Sequence, residues 1–233
     1  MAKKFFISPT TLNLFIECPR CFWFHMVKGE GFRRPEQPVS TLPRGMDILI
    51  KKYFDKYRKV NSLPPEIKNF IEGSLVEEAI INKWRSWQTG LRFIDNNGNQ
   101  LFGALDECII NNGTYIPVDY KTRGFALKDD SRSYYILQMS CYNFLLQKNN
   151  YNISDFAYLI YYVLSDLADN GEAKFSVEIY KVNTLKPQRV YEIFREAIDV
   201  LSLQEPPQPG KDCQFCNWVK AITNIDKSQG RLF

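Results

Sequence analysis

Histidine is almost absent from this 233-residue chain, which has one, His25. That excludes zinc or iron sites built from several imidazoles. An excess of charge is missing too. The 30 Lys+Arg stand against 26 Asp+Glu, a net +4, so the surface is not basic all round and any nucleic-acid contact must be confined to a local groove. Long apolar runs are also lacking: the longest uncharged one, Phe156 to Leu164, falls far short of the ~20 residues of a membrane helix and reads as a buried strand. The first nine residues, Met1 to Pro9, lack the apolar core of a secretion signal. Six cysteines in such a chain suit metal ligation or burial better than a secreted disulfide framework, so the expected compartment is the cytoplasm. With 45% hydrophobic and 24% charged residues the composition is that of a globular protein, and the length suits one substantial core. A single domain over residues 1–233 is expected.

Ser8-Pro9 ahead of Thr-Thr-Leu-Asn-Leu-Phe-Ile predicts a helix start, with Pro19 as its stop. Residues 29–43, with two glycines and three prolines, read as an irregular connection. Apolar spacing predicts helices over 44–59 and 65–87. Asp95-Asn-Asn-Gly98 and Asn111-Asn-Gly113 are hairpin signals, giving three successive antiparallel strands from Leu91, over 100–110, and over 114–121. A helix over 131–149, strands over 156–164 and 173–182, and a helix over 185–203 complete the core. The pattern is α/β: a mixed central sheet flanked by helices.

The chemistry concentrates in the middle strands. Asp119 and Lys121 are two apart on one strand and leave the same face. The tight turn makes the preceding strand a neighbour, and register can bring Asp106 of Gly103-Ala-Leu-Asp106 beside Asp119. Two such carboxylates form a hard-oxygen site for Mg2+ or Mn2+. A lysine beside them can orient a water and stabilise charge on a phosphate, an arrangement for phosphodiester hydrolysis. Gln138 and Tyr142 follow one turn apart on a helix face.

Gly-x-x-Asp, then Asp-Tyr-Lys, then Gln-x-x-x-Tyr resemble the ordered motifs of the PD-(D/E)xK nuclease superfamily, in its RecB-like branch. The segment around Cys18-Pro-Arg-Cys21 resembles the N-terminal cysteine segment of iron–sulfur members of that branch, among them CRISPR-associated exonucleases. The resemblance implies a restriction-endonuclease-like core, metal ligands Asp106 and Asp119, catalytic Lys121, and Gln138 and Tyr142 contacting DNA or bracing the site. It also implies exonuclease action on DNA that is single-stranded or has free ends. One departure stands out. Those nucleases carry Gly-x-x-x-His before the sheet, whereas Gly45-Met-Asp-Ile-Leu49 has Leu49 at that place, with Asp47 as the nearest substitute. A catalytically degenerate DNA-binding or scaffold protein of the same fold is the alternative reading.

Cys18-Pro-Arg-Cys21 and Cys213-Gln-Phe-Cys216 are two Cys-x-x-Cys pairs flanking the core, a spacing that lets each pair reach one metal. They join terminal segments 1–30 and 205–233 to a catalytic core over 44–203. Family likeness implies a 4Fe–4S cluster; the two-plus-two division is also that of a structural Zn2+ site. Cys108 and Cys141 have no partner spacing and read as packing residues, and His25 is a candidate substitute ligand. Arg123, Lys128 and Arg132, with Tyr134 and Tyr135 just beyond, form a basic and aromatic stretch suited to DNA, which Arg33, Arg34 and Arg44 can extend.

Overall fold

Between Thr114 and Arg123 the side chains alternate in character: Ile116, Val118 and Tyr120 belong to one apolar cluster, while Asp119 and Lys121 leave the opposite face. This strand, β6, is the middle of the sheet that organises the protein. The computed structural model describes residues 3–35, 41–127 and 133–228. The elements in chain order are β1 (Phe6–Ile7), α1 (Pro9–Glu17), α2 (Pro19–Trp23), α3 (Thr41–Lys59), β2 (Ser74–Leu75), α4 (Glu78–Trp84), β3 (Leu91–Ile94), β4 (Gln100–Gly103), β5 (Glu107–Asn111), β6 (Thr114–Arg123), α5 (Ser133–Lys148), β7 (Phe156–Leu167), β8 (Ala173–Asn183), α6 (Pro187–Leu201) and α7 (Gln214–Ser228).

The main sheet has five strands in the order β2-β5-β6-β7-β8. β5 and β6 form the expected hairpin, turning through Asn112 and Gly113 at φ 49° and 77°, the left-handed pair a tight hairpin turn requires. β6 and β7 are parallel, and α5 makes the crossover between them. β7 and β8 close the edge as a long antiparallel pair. On one face α5 and α6 bury Met139, Phe144, Leu145, Phe194 and Ile198 against Leu159 and Tyr161. On the other, Ile50 and Phe54 of α3 cover Val118, Tyr120 and Ile160. This is the expected mixed sheet flanked by helices. No helix among the described residues is long and apolar enough to cross a membrane.

Several local expectations need correction. The helix expected over 65–87 is only Glu78–Trp84. Before it, Leu63, Ile67 and Ile71 do pack on the sheet, but through turns. At φ 115° Gly73 passes so close to the Ile110 carbonyl that a side chain has no room, and Ser74–Leu75 then pairs with β5. The strand expected over 100–110 is two strands in different sheets. β4 pairs with β3 and β1 in a three-stranded sheet, the chain bends at Ala104–Asp106, and β5 enters the main sheet. Asp106 therefore lies at the mouth of β5, not within a strand. Gly103 makes this path possible, since a Cβ there would meet Leu145 at 2.9 Å and the Tyr142 ring at 3.0 Å. The strand β1 and the helix α7 were not anticipated.

Candidate active site and cysteine cluster

The β5–β6 ladder begins at Glu107 opposite Val118, and Asp106 and Asp119 are the next residue on each side of that pair, close enough for the two carboxylates to feel one another. Asp119 is 1% exposed, and neither of its carboxylate oxygens has a hydrogen-bond donor. Its neighbour is Lys121, whose Nζ makes an ion pair of 2.5 Å with Oδ2 and sits 4.4 Å above the Tyr135 ring. Burial pushes the Asp119 carboxyl up to about 7, with Lys121 opposing and Asp106 adding to the rise. For Lys121 burial works against the ammonium, but Asp119 outweighs it and the pKa rises. An orphaned, buried carboxylate beside a second carboxylate is a donor set that suits a hard divalent cation.

Asp106 is fixed from two sides. The Arg85 side chain at the end of α4 donates to its carbonyl at 2.9 Å, and Lys51 of α3 holds its Oδ1 at 2.7 Å. Lys51 also reaches Asp47 at 2.9 Å, while Leu49, at the place of the family histidine, is turned out and 60% exposed. Asp47, Asp106, Lys121, Arg123 and Tyr135 line an open cavity of about 420 Å³. On α5, Gln138 donates to the Tyr142 hydroxyl at 3.0 Å, and Tyr142 is buried against Gly103. Tyr134 is exposed; Lys128 and Arg132 lie outside the described residues.

Sequence reasoning missed the support beneath this site. Glu107, with no exposed surface, receives Arg58 of α3 at 2.5 Å, Arg85 at 3.1 Å and the Tyr120 hydroxyl at 3.2 Å. Burial pushes the Glu107 carboxyl up against the opposing pull of Arg58 and Arg85. Asp55 holds Arg85 from the other side at 2.8 Å. The network ties α3, α4, β5 and β6 together directly behind Asp106. A carboxylate in the otherwise apolar stretch after Asp106 was its one legible sign.

At the far end, Sγ atoms of Cys18, Cys21, Cys213 and Cys216 all lie within 4.8 Å of one another. The separations include 3.4 Å for Cys21–Cys216, 3.7 Å for Cys21–Cys213 and 3.8 Å for Cys18–Cys216. Each pair is a knuckle whose second N–H points at the first sulfur: Cys21 N to Cys18 at 3.5 Å and Cys216 N to Cys213 at 3.4 Å. Burial works to raise the Cys18 thiol, but the N–H groups of Cys21 and Gly210 outweigh it and hold it at about 7. Gly210 crosses so close to the Glu17 carbonyl that no side chain fits. His25 is not part of the four-sulfur group, and Cys108 and Cys141 are buried in the apolar core. Arg34, expected near the DNA groove, instead donates to Cys213 Sγ at 3.1 Å and to Glu17 at 2.6 Å.

Residues 42–221 match the family model described as the PD-(D/E)XK nuclease superfamily. That stretch contains the active-site candidates and Cys213 and Cys216, and leaves Cys18 and Cys21 outside. No curated protein matches the chain.

Proposed function

The chain belongs to the PD-(D/E)XK nuclease superfamily, whose members are generally metal-dependent hydrolytic nucleases, and from that premise we propose that it is a Mg2+- or Mn2+-dependent deoxyribonuclease acting on DNA that is single-stranded or has free ends. The observation that carries the reading is Asp119, buried against the Lys121 ammonium and close to Asp106, behind the open cavity that Asp106 and Lys121 line. Asp106 and Asp119 would hold the cation. When bound, the cation supplies Lewis-acid polarisation of the scissile phosphate and its attacking water. Lys121, whose ammonium Asp119 favours, stands where it can turn positive charge toward the phosphate oxygens and orient the attacking water. Arg123 on the cavity wall suits the phosphates on either side of the cleaved one, and exposed Tyr134 suits a stacked base. Gln138 braces Tyr142, which with Gly103 fixes the approach of β4 to α5. Lys128 and Arg132 are further DNA contacts in this reading.

The exonuclease assignment, and a place in the RecB-like branch near the CRISPR-associated enzymes, rest on the order of the three motifs. Digestion of end-labelled single- and double-stranded DNA with Mn2+, set beside closed circular DNA, tests them. Loss of activity in Asp119→Ala and in Lys121→Ala is the expected result, and activity that survives both sinks the proposal. Leu49 in place of histidine favours one second reading, a catalytically silent DNA-binding member of the fold. Binding of DNA without cleavage by the parent protein would establish it.

At the cysteines the sulfur separations favour one tetrahedral Zn2+ over the 4Fe–4S cluster that family likeness suggests. Zinc–sulfur bonds of about 2.3 Å at tetrahedral angles place the sulfurs roughly 3.8 Å apart, whereas a cube with an iron at each corner holds its thiolates much farther apart. We read the site as structural, joining segments 1–30 and 205–233 to the core over 44–203 in one domain. The cysteines form no disulfide, which suits a reducing cytoplasm.

A further inference from the structure

α3 presents Asp47 to the cavity, with Lys51 one turn on and paired to it, while Leu49 between them is rotated away into solvent. The Lys51 ammonium sits between two carboxylates that come from different elements, 2.7 Å from Asp106 Oδ1 and 2.9 Å from Asp47 Oδ2. It is one-fifth exposed and within electrostatic reach of Asp119. Three carboxylates thus gather around two side-chain cations, Lys51 between Asp47 and Asp106, and Lys121 2.5 Å from the buried Asp119. An unneutralised cluster of this kind would repel itself at short range. Lys51 removes much of that repulsion with a charge that belongs to the protein.

We infer that Asp47 is a third carboxylate ligand of the divalent cation, taking over from the absent histidine, and that Lys51 is a built-in competitor that holds Asp47 and Asp106 together until the cation displaces it. The inference rests on the nuclease reading of the site and specifies its donor set. Asp47 reaches the cavity from the helix that a histidine ligand would have used, but from a position two residues earlier, and Lys51 keeps its side chain directed at Asp106. Replacement of a monovalent ammonium by a divalent ion is electrostatically downhill beside three carboxylates, and the freed lysine can swing toward solvent on its flexible stem.

The test is Mn2+ binding followed by electron paramagnetic resonance, with thermal unfolding with and without Mn2+, on the full chain and four variants. Asp47→Asn, and Asp47→Ser as a second variant, should weaken Mn2+ binding by about tenfold or more. Lys51→Met should bind Mn2+ several-fold more tightly, unfold at a lower temperature without metal, and gain more in Tm from Mn2+ than the parent does. Asp119→Ala should lose binding. If Asp119→Ala loses binding while both Asp47 variants bind as the parent does, this inference is overturned and the nuclease site stands. Unchanged or weaker binding by Lys51→Met overturns the competitor role. A parent that binds no Mn2+ overturns the inference together with the reading beneath it.

Discussion

The Arg58 guanidinium of α3 donates to the Glu107 carboxylate at 2.5 Å, the arginine side chain 5% exposed and the glutamate wholly buried. That contact sets the height of α3 over the strand mouth where Asp106 stands. Removing one partner strands the other charge away from water. Glu107→Ala is expected to cost about 3–5 kcal/mol of stability, against a much smaller loss for an exposed pair such as Arg189→Ala at Glu192 and Glu196. Urea unfolding of both variants measures the contrast.

Asp119 titrates near 7 in the folded chain, against 3.8 as an ordinary aspartate. A raised carboxyl pKa contributes stability that is full below the unfolded value and lost as pH rises through the folded one. Metal-free protein should therefore lose stability between pH 4 and about 7, and added Mn2+ should restore it. By the same linkage, binding releases a proton below pH 7, so Mn2+ affinity should rise from pH 6 to 8 and then level off. Calorimetric titration of the parent protein in buffers of different ionisation enthalpy counts the proton.

Elemental analysis should find one zinc per chain, with a colourless protein. Brown protein with broad visible absorbance would instead establish the iron–sulfur cluster. Cys213→Ser should lose the metal. Because Cys21 and Cys216 are 195 positions apart, the loss of that closure is worth roughly 5 kcal/mol on the chain-entropy estimate. A drop in Tm on chelation, reversed by added Zn2+, reads the same quantity.

Gly210→Ala should damage the cysteine site without touching a ligand. Its Cβ would collide with the Glu17 carbonyl, a backbone atom with little freedom to yield, and the N–H donated to Cys18 at 3.2 Å would be displaced. The expected cost is about 1–3 kcal/mol. Metal content and thermal unfolding check it, with Gly31→Ala as the control, since a Cβ there meets nothing.

Much of the candidate site's geometry was legible because it rests on short-range rules. The two-residue period of a strand puts Asp119 and Lys121 on one face, Asn112-Gly113 fixes the hairpin register that brings Asp106 close, and a helical turn joins Gln138 to Tyr142. What escaped was set by distant contacts. Residues 100–110 are apolar enough throughout to pass for one strand, and only the packing of Gly103 on Tyr142 shows why the chain bends. Ile67 and Ile71 carry helical spacing, yet the approach of Gly73 to Ile110 sends the following residues into the sheet. Nothing local marks Arg58 and Arg85 as buried, because their partner, Glu107, lies 49 and 22 positions away.

The four-sulfur centre also imposes an order on biosynthesis. Cys18 and Cys21 leave the ribosome early, but a single ion that needs all four sulfurs cannot be captured until Cys216 has followed, 195 positions after Cys21. At about 5–20 residues per second the first thiol pair stands open for roughly 10–40 s. On the zinc reading the core would pack meanwhile, and the ion would then latch a body already folded between the two cysteine pairs.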